Sequence, residues 1–267
     1  MQDKQPRVSV VTGAAAGIGL AAVERFAADG DQVVALDRDE QALDALAARV
    51  PGVVVHAVDV SDPDDVQRVG DELARTYESI DVLVCAAGIQ RYGTVEETDN
   101  RLFHEVIAVN LGGVFSCCRT MMPMLRQHGG GAVVVVSSIQ AYASQTGVAA
   151  YTATKGGLVA LVRAMAVDHA ADGVRVNAVC PGSVDTPMLR WAAGEFSSAE
   201  ATVDDVLEQW GRNHPLGRVA RASEVADAIA YLAGPTASFV TGTDLVVDGG
   251  VRAALGVTLP ETDTAEE

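Results

Sequence analysis

A single α/β domain, with a doubly wound parallel sheet of seven strands and helices on both faces, is what this 267-residue chain predicts. Three observations carry the prediction. Short β-branched runs alternate with longer helical patterns, which is how βαβ units read. The runs are apolar throughout instead of alternating with polar residues, as strands buried on both faces are. The chain shows no internal repeat and no interdomain linker, and its length suits one large core.

The first strand falls at 8–11 and its helix at 18–29. A second strand at 33–36 leads to a short alanine-rich helix at 40–49. The third strand, 53–58, precedes a helix at 63–77, where Ser61 or Asp62 can cap and Pro63 stands near the start. A fourth strand at 82–85 is followed by a long helical region at 101–127. The turn Gly129-Gly130-Gly131 introduces a fifth strand at 133–137, and a long helix follows at 150–171. The sixth strand, 174–179, stops at Pro181-Gly182, and the seventh, 245–247, closes at Gly249-Gly250. The catalytic domain is expected to span 1–250, with 251–267 as an acidic C-terminal tail whose last residues, 260–267, read as frayed. One segment breaks the rhythm. Residues 186–214, holding Met188, Leu189, Trp191, Phe196 and Trp210, sit where inserted chain can cover a ligand at the carboxyl edge of the sheet.

Composition excludes several classes. The formal charge is −17, from 36 acidic and 19 basic residues, so phosphate backbones and anionic membranes would be repelled. Cys85, Cys117, Cys118 and Cys180 form no CxxC pair and read as buried thiols of a reducing, cytoplasmic compartment. The five histidines are scattered, so no metal site is expected. Lys4 and Arg7 before an apolar stretch imitate a secretory leader, but that stretch carries a glycine fingerprint a leader has no use for. No apolar run reaches the roughly 18 residues needed to span a bilayer.

The fingerprint is Thr12-Gly13-Ala14-Ala15-Ala16-Gly17-Ile18-Gly19, between a strand and a helix. Gly13 permits a tight turn, Gly17 lets backbone approach a pyrophosphate, and Gly19 lets the helix pack on the sheet, its N-terminus facing the anion. Asp37, at the end of the second strand, completes the pattern of a dinucleotide-binding Rossmann fold. Its carboxylate can accept from both ribose hydroxyls and would repel a 2′-phosphate, which favours NAD. Arg38 is the opposing feature, because it could meet the extra phosphate of NADP unless Asp39 and Glu40 hold it away.

Tyr151 and Lys155 stand four apart near a helix start and share one face. A free phenol, with a pKa of about 10, is a poor base at neutral pH, and an adjacent ammonium plus a cationic nicotinamide would bring it toward the working range. Alone, such a pair is usually a solvated surface pair. Here it accompanies the glycine turn, Asp59-Val60, Asn110, Ser138 and Pro181-Gly182-Ser183-Val184-Asp185-Thr186, in that order. Together they resemble the short-chain dehydrogenase/reductase family from about residue 8 to 250.

The resemblance implies roles. Tyr151 would be the general acid/base, Ser138 would orient the substrate oxygen, Lys155 would hold the nicotinamide ribose, and Asn110 would position a relay water. Asp59 and Val60 would meet the adenine, Ala87 and Gly88 would approach the adenosine ribose, and Val184 and Thr186 would fix the carboxamide after the Pro181-Gly182 stop. Ser137 rivals Ser138, but strand alternation aims only one of them inward, and the spacing to Tyr151 favours Ser138. One departure stands out: the family commonly has Asn-Asn-Ala-Gly where this chain has Cys85-Ala86-Ala87-Gly88, so the bracing of that loop must come from elsewhere.

For the substrate, Gln90, Arg91, Gln140, Tyr142 and Gln145 fall near the expected pocket, and the glutamines would suit a sugar, polyol or cyclic alcohol. Met188, Leu189 and Trp191 add apolar surface; a pyranose or cyclohexanol has both faces. The overall expectation is an NAD-dependent enzyme interconverting a secondary alcohol and a ketone, with a small-molecule substrate and, by resemblance, a D2 homotetramer. Alternatives are an NADP-dependent 3-oxoacyl-carrier ketoreductase, which Asp37 and the acidity disfavour, and a non-catalytic NAD-sensing module, which would have no reason to keep Asn110, Ser138, Tyr151 and Lys155. A sugar-nucleotide epimerase would need a longer substrate domain.

Overall fold

In the computed structural model, which describes residues 6–198 and 200–255, seven parallel strands form one sheet in the order β3-β2-β1-β4-β5-β6-β9. These are β1 Val8–Thr12, β2 Gln32–Asp37, β3 Val54–Ala57, β4 Val82–Cys85, β5 Ala132–Val136, β6 Arg175–Pro181 and β9 Asp244–Val247. Strands β7 Val184–Asp185 and β8 Ala220–Arg221 pair separately. The order reverses between β1 and β4, so a crevice opens beyond their carboxyl ends.

Alternation along single strands explains the two-sided core. On β5, Val133 and Val135 enter one apolar layer while Val134 and Val136 enter the other. The first layer packs under α3 Pro63–Thr76, α5 Gly113–Leu125 and α6 Ala149–Asp168. The second packs under α1 Gly17–Ala28, α2 Glu40–Arg49 and α9 Ala222–Ala233. The predicted acidic cap is present on α3: Asp62 accepts from the Asp64 N–H. All four cysteines are buried free thiols.

Two expectations need correction, both on the same run of residues. The helix expected at 101–127 is α4 Asn100–Ile107, a π-helical turn Ala108–Gly112 and then α5. The widened turn lies where the chain must come very close to the turn after β3: a Cβ on Gly113 would lie 2.8 Å from Val60 Cγ2. Counting consecutive apolar residues also understated this run, because Asn100–Leu125 is long and apolar enough by composition to cross a membrane; it is a helix packed on α3, β4 and β5, half of its most apolar stretch buried. Within 186–214 lie two helices, α7 Pro187–Gly194 and α8 Val203–Gly211. Past residue 250, Val251–Ala253 make a 3-10 turn that packs on the domain, Arg252 lying 3.8 Å from the centre of the Tyr142 ring. The expected frayed end, 260–267, lies outside the described residues.

Candidate active site

The carboxyl ends of β1, β2, β4, β5 and β6 open onto a cavity of about 820 Å³. At one end lies the glycine turn. Gly13 has φ +64°, and a Cβ there would meet the Ala87 backbone at 2.7 Å. On Gly19 a Cβ would lie 2.1 Å from the Gly13 carbonyl oxygen, so any side chain would push α1 off the turn. Helices α2, α3 and α4 are capped by Asp39, Asp62 and Asp99, whereas Ala16, the residue before α1, offers no side-chain cap. Its first N–H groups are left to a ligand, and Gly17, Ile18 and Gly19 line the cavity.

Asp37 closes β2 beside this turn. Its carboxylate accepts from the Ala15 N–H at 3.0 Å and the Asp39 N–H at 3.1 Å, which fixes both oxygens at the cavity edge. Arg38 lines the same edge. Asp39 and Glu40 do not restrain it: among the described residues Arg38 makes no ion pair, and the Asp39 carboxylate accepts from Ala42 N–H to cap α2.

The loop after β4 has substitutes for the absent amides. Thr12 Oγ1 accepts from the N–H groups of Ala86 and Ala87 at 3.1 and 3.2 Å. Asn110, 1% exposed in the π-helical turn, grips Ile89 at two points: Oδ1 accepts from its N–H at 2.8 Å and Nδ2 donates to its carbonyl at 2.9 Å. Nδ2 also donates to Thr154 Oγ1 at 3.3 Å. With both amide hydrogens engaged, only oxygens of Asn110 are left to hold a water.

Ser138, Tyr151 and Lys155 line the same cavity. Ser137 Oγ donates to the Lys155 carbonyl at 2.9 Å, tying α6 to β5. The next residue, Ser138, accepts from Gln140 N–H and stands within hydrogen-bond reach of the Tyr151 phenol. Lys155 Nζ lies 5.3 Å from the Tyr151 ring centre and donates to the Val136 carbonyl at 2.9 Å. Burial pushes Tyr151 up to about 12, with the Ser138 hydrogen bond acting the other way. Burial also brings Lys155 down to about 8, a change that Cys180 opposes. The polypeptide alone therefore does not draw the phenol into the neutral range as its lysine neighbour suggested, because burial disfavours the phenolate.

Of the other expected residues, Ala87, Gly88, Pro181, Gly182, Val184, Thr186, Gln90, Gln140, Gln145, Met188 and Leu189 line the cavity. Thr186 also caps α7, accepting from Leu189 N–H. Asp59 and Val60 do not: Asp59 accepts from Ser61, and Val60 packs against Gly113. Trp191 lies behind the lining, stacked on Tyr92, and Arg91 is paired with Glu105 at 2.8 Å. Sequence reasoning missed Tyr92 and Asn213 in the lining. For Tyr92 a signal existed, since it follows Gly88 by four residues at the carboxyl edge of the sheet.

Fold and site together define an oxidoreductase built around a dinucleotide crevice. A family model described as enoyl-(acyl carrier protein) reductase matches residues 13–252. The chain is 42% identical over 251 residues to cis-4-hydroxycyclohexanecarboxylate dehydrogenase of Sinomonas cyclohexanicum, an alignment covering 92% of this chain and 97% of that one. It is 37% identical to meso-2,3-butanediol dehydrogenase of Serratia marcescens, with 94% and 96% covered. The ligand-free aldohexose dehydrogenase of Thermoplasma acidophilum superposes with a TM-score of 0.89 at 34% identity, covering 96% and 98%. The chain belongs to the short-chain dehydrogenase/reductase family. It is thus an oxidoreductase acting on CH–OH groups with a nicotinamide cofactor.

Proposed function

We propose that the protein is an NAD-dependent dehydrogenase that interconverts a secondary alcohol and a ketone on a hydroxylated ring or polyol, with Tyr151 as general acid/base. The observation that carries this reading is one continuous cavity lined both by the glycine turn and Asp37 and by Ser138, Tyr151 and Lys155. The residues fit a dinucleotide: the uncapped N-terminus of α1 offers N–H groups to a pyrophosphate, and the space a Cβ on Gly13 would fill is closed by Ala87. Asp37 presents a fixed carboxylate to ribose hydroxyls.

When bound, an oxidised nicotinamide would supply a hydride acceptor and a positive charge, and a positive charge near the phenol would lower its pKa. Ser138 orients the substrate oxygen by hydrogen bonding. Tyr151 takes the hydroxyl proton in oxidation and returns it in reduction. Lys155 would hold the nicotinamide ribose, and its ammonium would favour the phenolate. Asn110 braces the loop carrying Ala87 and Gly88 by gripping Ile89, and those two residues would approach the adenosine ribose.

Relatives named for a hydroxycyclohexane acid, a butanediol and an aldohexose support a secondary alcohol on a small, oxygen-rich carbon frame. Arg38, unpaired among the described residues at the Asp37 edge, favours a second reading in which NADP is used, as in a 3-oxoacyl-carrier ketoreductase. The fixed carboxylate outweighs it, because a 2′-phosphate would have to sit beside it. A cytoplasmic homotetramer completes the proposal. The test is a panel of sugars, polyols, cyclic alcohols, hydroxysteroids and 3-hydroxyacyl thioesters scored by NADH absorbance. Activity confined to hydroxylated rings and polyols is expected; turnover of thioesters alone would refute the reading.

A further inference from the structure

His214 does not line the cavity, yet three pieces of the cavity wall rest on this one buried side chain. It follows α8, its N–H donating to the Gly211 carbonyl at 3.0 Å, and is 4% exposed. Its ring lies directly behind Gly182: a Cβ on that glycine would stand 2.7 Å from His214 Cε1. Nδ1 is 2.6 Å from the Asp248 carbonyl oxygen. A carbonyl only accepts, so Nδ1 carries the hydrogen and donates it. The same carbonyl accepts from Val251 N–H at 3.3 Å, and the Asp248 carboxylate accepts from the N–H groups of Gly250 and Arg252, each at 2.8 Å. Asn213, residues 182–184 and Val251 all line the cavity. One imidazole thus ties together wall segments that are far apart in sequence.

The course of 181–186 says what this wall can hold. Strand β6 pairs with β5, Ser137 N–H donating to the Val179 carbonyl at 2.8 Å, so the stretch leaves the sheet beside Ser138. At its other end Thr186 reaches the glycine turn: a Cβ on Gly17 would lie 3.1 Å from Thr186 Cγ2. The stretch therefore runs from the reacting groups to the N-terminus of α1. A dinucleotide with its pyrophosphate on α1 and its reacting carbon at Tyr151 lays its nicotinamide half along this stretch. Its adenosine half turns the other way, toward Asp37 on β2. Misplacing a reacting group from a distance is costly, so what sets this wall matters to the chemistry.

We infer that His214 is a positioning residue for the nicotinamide half of the cofactor. It holds 182–184 against the turn at 248–251 from behind, without touching cofactor or substrate. This deepens the dinucleotide reading of the cavity and rests on it.

The experiment is calorimetric titration with NADH and with ADP-ribose, which lacks the nicotinamide, so that a role at one half of the cofactor is separated from a general role in the fold. Wild type is compared with His214→Leu, which keeps bulk and loses the donor, and with His214→Asn, whose amide can donate to the Asp248 carbonyl. His214→Leu is expected to bind NADH roughly tenfold more weakly and ADP-ribose within about twofold of wild type. His214→Asn should recover most of the NADH loss. A measurement on wild type labelled with 15N-histidine needs no variant and decides the matter should His214→Leu not fold: the Nδ1 hydrogen of His214 should exchange with solvent more slowly with NADH bound than with ADP-ribose bound. Equal losses for both ligands, no loss for either, or the same exchange rate with both would overturn the inference and leave the dinucleotide reading intact. A wild type that binds neither ligand would instead overturn that reading itself.

Discussion

Replacing Lys155 with methionine should change how the stability of the cofactor-free protein depends on pH. Lys155 is 5% exposed, and burial lowers its pKa from 10.5 to about 8. Between those values the unfolded chain holds a proton that the folded chain has released, so stability rises with pH across that window. The desolvation cost in wild type is about 3.3 kcal/mol at pH 7 and falls to about 1.4 kcal/mol at pH 9.5, taking about 1.4 kcal/mol per pKa unit. Methionine fills similar volume and carries no such cost. Its loss of the hydrogen bond to the Val136 carbonyl acts nearly alike at both pH values. Urea unfolding midpoints for both proteins, at equal concentration and without nicotinamide, measure the difference. Wild type should gain about 2 kcal/mol relative to Lys155→Met on going from pH 7 to pH 9.5. Parallel profiles would mean that the ammonium is not desolvated here, and the electrostatic account of the site would fall.

Two further outcomes test separate parts of the site. Asp37→Ala should reduce the ratio of kcat/KM with NAD to that with NADP by roughly tenfold, read by absorbance with each cofactor; an unchanged ratio would assign selectivity to Arg38. Asn110→Ala should leave the Ile89 N–H and carbonyl unpaired, destabilise the fold by about 2–4 kcal/mol and weaken NADH binding. Thermal melts and NADH fluorescence titration check this, and a variant that melts and binds like wild type would show that the loop is braced without it.

Much of the fold was legible because its signals are local. The parallel sheet covered on both faces follows from alternating elements and uninterrupted apolar strands, and the glycine turn declares itself within eight residues. Tyr151 and Lys155 are one helical turn apart, so sequence spacing alone places them together. What escaped is held by contacts distant in sequence. The π-helical turn at Asn110 lies beside the close approach of Gly113 to Val60, some fifty residues earlier. Tyr92 reaches the site through the Gly93–Val148 bridge. Desolvation of the Tyr151 phenol depends on how deeply α6 is set into the core, which no spacing reveals. The two helices inside 186–214 were obscured because that stretch packs partly on itself, through Ala193, Val206 and Leu207, and contributes little to the main core.

The most direct test of the account is Tyr151→Phe, which keeps ring and packing and removes one oxygen. NADH titration by fluorescence, beside turnover of the best alcohol from the panel, separates binding from chemistry. The account predicts binding within a few-fold of wild type and turnover lower by roughly a hundredfold to ten-thousandfold. Turnover within tenfold of wild type would contradict it.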